Sequence, residues 1–337
     1  MRSSSYLLAA FASATAFCAE VSYAPPVGGV SYTINAGTVT APVTTSFTIP
    51  LLESVSANGT VIGRIGSLSA TTMTVTGANW IAGALSTASA PYAIRVTSGA
   101  AAGYTFAITG NTADTLTVAG GNPVQLGVGA GSAGDSFRLL QVQTLKNILI
   151  GNPILGGTSA ANADIVVVSS STQLSFYFNT TVNRWVRTTG PTTDRGDTPI
   201  PVDGVIGITR KSGAFTLRFM GSVPTGRFCQ VVTNSGSTYT HTGFPADVTL
   251  GALSLQTALS GWTSATTATT ADTLSVVTVA GLLSYFFNGT NWQRTTGPAT
   301  NRDSITIPTG TPIQIFKRGS ASGSAFFLRN PPYSFQL

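Results

Sequence analysis

The chain has 337 residues, of which 8% are charged and 42% hydrophobic, with 17 Phe, 9 Tyr, 4 Trp and a formal net charge of +6. That supply of aromatic and β-branched residues excludes a disordered chain despite the low charge. The 17 basic residues are scattered, with no run longer than Arg210-Lys211 or Lys317-Arg318. A nucleic-acid partner, which needs a concentrated basic patch, is therefore not expected.

At the N-terminus, Met1-Arg2 and the apolar stretch over residues 6–17 have the form of an export signal, with cleavage placed after Cys18. The stretch is too short to span a bilayer, and no later one is long and apolar enough for a transmembrane helix. The expected location is outside the cytoplasm, secreted or at the cell surface. Without residues 1–18, Cys229 has no partner for an intramolecular disulfide. It lies in the strand-like Phe228-Cys229-Gln230-Val231-Val232 and is expected as a buried small hydrophobe.

Residues 19–142 are predicted as an N-terminal β domain. Val30-Ser31-Tyr32-Thr33-Ile34 and Thr45-Ser46-Phe47-Thr48-Ile49 alternate apolar with polar, as half-buried strands do. Tyr92-Ala93-Ile94-Arg95-Val96, Tyr104-Thr105-Phe106-Ala107-Ile108 and Thr115-Leu116-Thr117-Val118 follow, each ending near a Gly turn.

An internal repeat covers the rest. Trp185-Val186-Arg187-Thr188-Thr189-Gly190-Pro191 returns as Trp292-Gln293-Arg294-Thr295-Thr296-Gly297-Pro298, and Ile200-Pro201 as Ile307-Pro308, all offset by 107 residues. Ala163-Asp164 matches Ala271-Asp272, and Ile208-Thr209-Arg210-Lys211 matches Ile315-Phe316-Lys317-Arg318. Ala214-Phe215-Thr216-Leu217-Arg218 matches Ala325-Phe326-Phe327-Leu328-Arg329. The expected division is a repeat unit over 143–225, a connecting strand or loop over 226–248, and a second unit over 249–337. Residues 144–150 and 250–259 have helical spacing, one short helix per unit. The predicted fold is all-β, with tandem sandwich or small-barrel modules.

The segments Pro26-Val27-Gly28-Gly29-Val30, Gly134-Asp135-Ser136-Phe137-Arg138-Leu139, the stretch 98–120 and the Trp-x-Arg…Ile-Pro…Arg-Lys pattern carry a resemblance. The chain resembles an uncharacterised family of secreted, repeat-containing bacterial proteins of the cell envelope or exterior. The resemblance implies export and β structure, and supplies no site residues.

The chemical inventory is sparse. The one histidine, His241, is expected as an exposed loop residue, and no Gly-x-Ser-x-Gly elbow accompanies it. One His and one mature Cys cannot build a usual zinc site. Asp194 and Asp197 are the closest approach to a calcium loop, in Thr193-Asp194-Arg195-Gly196-Asp197, and are expected as a polar turn. Gly129-Ala130-Gly131-Ser132-Ala133-Gly134 spells G-x-G-x-x-G but precedes a strand-like run, whereas a dinucleotide site needs a helix there. Arg195-Gly196-Asp197 spells an adhesion tripeptide that the second unit lacks. No enzyme, cofactor or metal is expected.

The repeated Trp-x-Arg is the candidate binding feature. In a strand, residues two apart share a face, so Trp185 with Arg187 and Trp292 with Arg294 form either a packing device or an exposed sugar-binding pair. The leading expectation is an extracellular structural or adhesive protein that self-assembles as a filament, surface layer or matrix. Its candidate edges are Val30, Tyr32 and Ile34, and Phe326, Phe327 and Leu328. The alternative is a pair of carbohydrate-binding modules with an extracellular glycan as partner.

Overall fold

The computed structural model describes residues 26–52, 59, 61–169, 173–190, 192–297, 300–319 and 324–333. The export signal, Cys18, Pro191 and Pro298 lie outside them. The described residues are all-β, 43% in strands and 4% in helix. Runs rich in Thr, Val and aromatics pleat, and glycines with positive φ reverse the chain between them. The two Thr-Thr-Gly turns of the repeat show this directly. Gly190 and Gly297 both have φ +74°, a conformation only glycine adopts without strain, and the Trp-x-Arg strand stops at each.

Three large hydrophobic cores organise the described residues. The first lies between a five-stranded and a two-stranded sheet. The five-stranded sheet runs Arg184–Arg187, Gln173–Asn179, Ile165–Ser169, Val205–Arg210, Val43–Phe47 in spatial order, all antiparallel. The two-stranded sheet pairs Val27–Ile34 with Phe215–Ser222. Ile34, Phe47, Val166, Phe176, Trp185, Ile208 and Leu217 meet between them. The helix Leu145–Ile148 adds Leu145 and Ile148.

The second core repeats the plan. Its five-stranded sheet runs Ser235–Thr240, Ile313–Arg318, Thr273–Thr278, Gly281–Phe287, Trp292–Arg294. Its two-stranded sheet pairs Phe228–Thr233 with Ser324–Arg329. Helices Leu250–Leu253 and Leu255–Ala258 occupy the place of the earlier helix.

The third core belongs to residues 61–142, whose sheet runs Ile62–Arg64, Ser136–Gln141, Ala90–Val96, Thr105–Asn111, Thr115–Ala119, Thr72–Thr74, Ser67–Leu68.

Strand pairing cuts across the expected division of the chain. Val27–Ile34 and Val43–Phe47 bond to strands beyond residue 200, not to the sheet of 61–142. Residues 61–142 are thus placed between two leading strands, one for each sheet, and the unit those strands complete. The expected connector over 226–248 likewise contains Phe228–Thr233 and Ser235–Thr240, the two leading strands of the second assembly, one in each of its sheets. Such pairings join strands far apart in sequence, so local pattern does not announce them.

The facing of the last strand also departs from the sequence match. Phe215 and Leu217 belong to the first core, whereas Ala325 and Phe327 belong to the second. The equivalence is Leu217 with Phe327, one residue off the apparent alignment. A one-residue shift in a strand exchanges its faces. Consequently the outward positions of the first two-stranded sheet, Ser31, Thr33, Thr216 and Arg218, are polar and exposed. Those of the second, Cys229, Val231, Phe326 and Leu328, are apolar and pack on the third core. The continuous apolar run at Phe326-Phe327-Leu328 arises because this strand is covered on both faces.

Candidate functional site

The most concentrated chemistry sits where the three assemblies meet. Arg95 comes from the strand Ala90–Val96 of the 61–142 sheet. Asp203 comes from the loop entering Val205–Arg210, and His241 follows Ser235–Thr240. The Arg95 guanidinium donates from Nη2 to Asp203 Oδ1 at 2.9 Å and to Oδ2 at 3.2 Å, while its Nε donates to Thr105 Oγ1 at 2.9 Å. His241 is buried against the Phe228 ring, centroids 4.8 Å apart. Its Nδ1 accepts the Gly243 backbone N–H at 2.9 Å. The hydrogen of the neutral ring therefore sits on Nε2 and points at Asp203 Oδ1, 3.3 Å away. The expectation of an exposed histidine is corrected: the loop folds back under the junction, and both ring nitrogens find partners there.

The electrostatics are those of a satisfied buried network. Burial pushes the Asp203 carboxyl upward, but Arg95 and His241 outweigh it and hold the carboxyl below its ordinary value. Burial drives the nearby Cys229 thiol to about 11, so at neutral pH it stays protonated. Neither imidazole nitrogen is free to take a proton from a nucleophile, and the carboxylate is engaged by guanidinium and imidazole. What the arrangement does is fasten three parts of the chain together. Arg227 adds to the seam by donating to the carbonyls of Gly99, Ala100 and Ala102. Thr48 joins the first two assemblies by donating its backbone N–H to Gly310 O at 2.8 Å.

A second constellation occurs twice, once in each repeat unit. Asp164 accepts the backbone N–H of Leu155 and of Lys211, each at 2.7 Å, and pairs with Arg210. Asp272 accepts the N–H of Thr263 at 2.8 Å and of Arg318 at 2.7 Å, and pairs with Lys317 at 3.2 Å. The next cation along ties down the loop before the aspartate in both cases. Lys211 Nζ donates to the carbonyls of Ala160 and Ala161, and Arg318 to those of Ala268 and Ala271. Arg-Lys and Lys-Arg thus perform the same two tasks with the residue types exchanged.

The Trp-x-Arg residues are brought into separate cores, not onto a shared surface. Trp292 is 0% exposed, with Trp262 and Phe287 rings 5.5 and 5.7 Å away; Trp185 is buried with Phe178 at 5.7 Å. Arg187 and Arg294 are half-buried. Among the described residues the cation–π contacts are Arg210 on Phe215, Arg318 on Phe316 and Arg329 on Phe244, and none joins a Trp-x-Arg pair. Neither indole offers a face to a sugar ring. Trp185→Ala and Trp292→Ala are each expected to cost about 3–5 kcal/mol, because each empties a large core volume. Denaturant unfolding checks this; losses under about 1 kcal/mol would return these residues to a surface role.

The remaining candidates take structural places. The Gly129 N–H donates to Asp135 Oδ2 at 2.7 Å, so a carboxylate occupies the position a phosphate would need. Asp194 accepts the Gly196 N–H at 2.9 Å, and Asp197 pairs with Lys146. Both edges of Ser324–Arg329 are occupied, one by Phe228–Thr233 and the other near Ser260, whose N–H donates to Phe326 O at 3.1 Å. Val27–Ile34 pairs along one edge only among the described residues. Val30 and Ile34 are buried, and the Tyr32 ring stacks on Phe47 at 4.8 Å.

Comparison with protein-family models, with curated proteins and with solved structures finds no match.

Proposed function

We propose that the chain is a non-enzymatic extracellular structural or adhesive protein that associates with copies of itself through a sheet edge. One observation carries this reading: Val27–Ile34, eight residues long, pairs along one edge only among the described residues. A strand of that length presents a row of backbone donors and acceptors that a second strand can complete. Low charge supports it, since 8% charged residues leave little repulsion between copies. The engagement of His241, Asp203 and Cys229 in packing supports the non-enzymatic part.

The chain from Ala19 onward is expected to form oligomers or filaments at high concentration, by light scattering and negative-stain microscopy. Ser31→Lys, placing charge on the exposed side of that strand, is expected to return it to monomer. A wild-type chain that stays monomeric at every concentration overturns the self-assembly reading.

A further inference from the structure

One face of the 61–142 sheet, partly covered where Arg95 lies buried, also holds Arg138 and Arg64, whose charges no carboxylate among the described residues answers; Arg64 Nη1 donates to Gly134 O at 3.1 Å. Strand pairing places Arg138 directly opposite Arg95 on one side and opposite Ile62 on the other. Arg64 stands opposite Ser136, one step along the same face. Phe137, Leu139 and Ile94, at the alternate positions, belong to the core on the other side. Like charges directly opposite in a sheet oppose its formation unless answered. Arg95 is answered by Asp203. Among the described residues neither Arg138 nor Arg64 forms an ion pair, and the Arg138 Nε is buried without an acceptor. Burial lowers the Arg138 pKa, the mark of a guanidinium losing water without an anion to replace it. Around the pair lie the hydroxyl residues Ser136, half-buried, and Thr97, exposed, and the Ile62 side chain, 68% exposed.

We infer that this face binds an acidic polysaccharide, with Arg138 and Arg64 holding its carboxylates. A guanidinium fork matches a carboxylate in two parallel hydrogen bonds. The neighbouring hydroxyls suit sugar hydroxyls, and the exposed isoleucine suits the apolar face of a pyranose ring. The exposed positions Ile62, Arg64 and Thr97 lie side by side along this part of the sheet, which fits an extended chain of uronate residues. The inference deepens the adhesive part of the proposed function and rests on it for an extracellular ligand. The contact itself is independent of self-assembly.

The test is binding of polygalacturonate to the purified chain from Ala19, by titration calorimetry at two salt concentrations, with neutral dextran and poly-glutamate as comparisons. Arg138→Gln and Arg64→Gln are each expected to weaken polygalacturonate binding about ten-fold or more. Arg195→Gln, which removes one exposed charge elsewhere, is expected to change it less than about two-fold, as a screened remote charge does. Arg64 is exposed, so its variant remains informative if Arg138→Gln lowers stability. Equal losses in all three variants mean diffuse attraction to a basic protein and overturn the site. So does absence of binding. Poly-glutamate bound as tightly as polygalacturonate overturns the glycan assignment. A monomeric chain that still binds removes self-assembly and leaves this inference standing.

Discussion

Asp164→Ala and Asp272→Ala are expected to destabilise the chain by about 3–5 kcal/mol each, the penalty for leaving a buried cation without its partner. Both carboxylates are fully buried, and each holds three donors from two segments. Removing one leaves Arg210 or Lys317 charged in the interior and strands two backbone N–H groups that no water reaches. Asparagine is expected to cost less than alanine, because its carbonyl oxygen keeps one acceptor while the charge is lost. The measurement is urea unfolding of both variants, followed by tryptophan fluorescence. Trp185 belongs to the first core and Trp292 to the second, so the Asp164 variant acts on the first and the Asp272 variant on the second. Losses below about 1 kcal/mol for both would mean that the constellation is an accident of packing.

Asp203→Asn is expected to cost up to about 3–5 kcal/mol, the range for breaking a buried pair, since Arg95 is 7% exposed and has no second carboxylate among the described residues. Its signature is pH dependence. The folded carboxyl titrates below its ordinary value, so the network stabilises the chain above that value. That stabilisation begins to fade as pH falls through the ordinary carboxylate range near 4, and is lost once the lower folded value is passed. Between pH 7 and pH 3 the wild-type melting temperature is therefore expected to fall more steeply than that of Asp203→Asn, with the two curves converging at the acid end. Parallel curves would show that Asp203 carries no linkage and that Arg95 is neutralised elsewhere. Because Arg95, Asp203 and His241 come from three assemblies, the variant is also expected to make the connections around 142 and 225 cleavable by limited proteolysis.

The same residues show how far the sequence can be followed. The 107-residue offset located the repeat, and the alternating runs identified most strands, because both signals are local. The repeated Ala-Asp and paired cations were visible too. That the aspartate of each unit meets the first cation of its own pair was not, since 46 residues separate Asp164 from Arg210. Arg95 was the one internal sign of the junction: a charge within the apolar Tyr92-Ala93-Ile94-Arg95-Val96 needs a partner. Asp203, between Val202 and Gly204, gave no sign of being that partner. The Trp-x-Arg pairs were open between packing and binding for a physical reason. Period two puts Trp and Arg on one face of a strand, and nothing local says whether that face looks inward.

What the sequence determined by itself is what short-range chemistry decides: all-β structure from Thr, Val and aromatic propensity, turns from glycines that take positive φ without steric cost, and the repeat from its own self-similarity. What the tertiary structure decided is which strands complete which sheet, which face each buries, and which charges meet. Those outcomes depend on contacts between segments far apart in the chain, 195 residues for Val27 opposite Ser222 and 262 for Thr48 with Gly310. Hydrophobic burial and ion pairing are indifferent to chain order, so a single residue of shift makes an outward Thr216 and an inward Phe327 of positions that the sequence aligns.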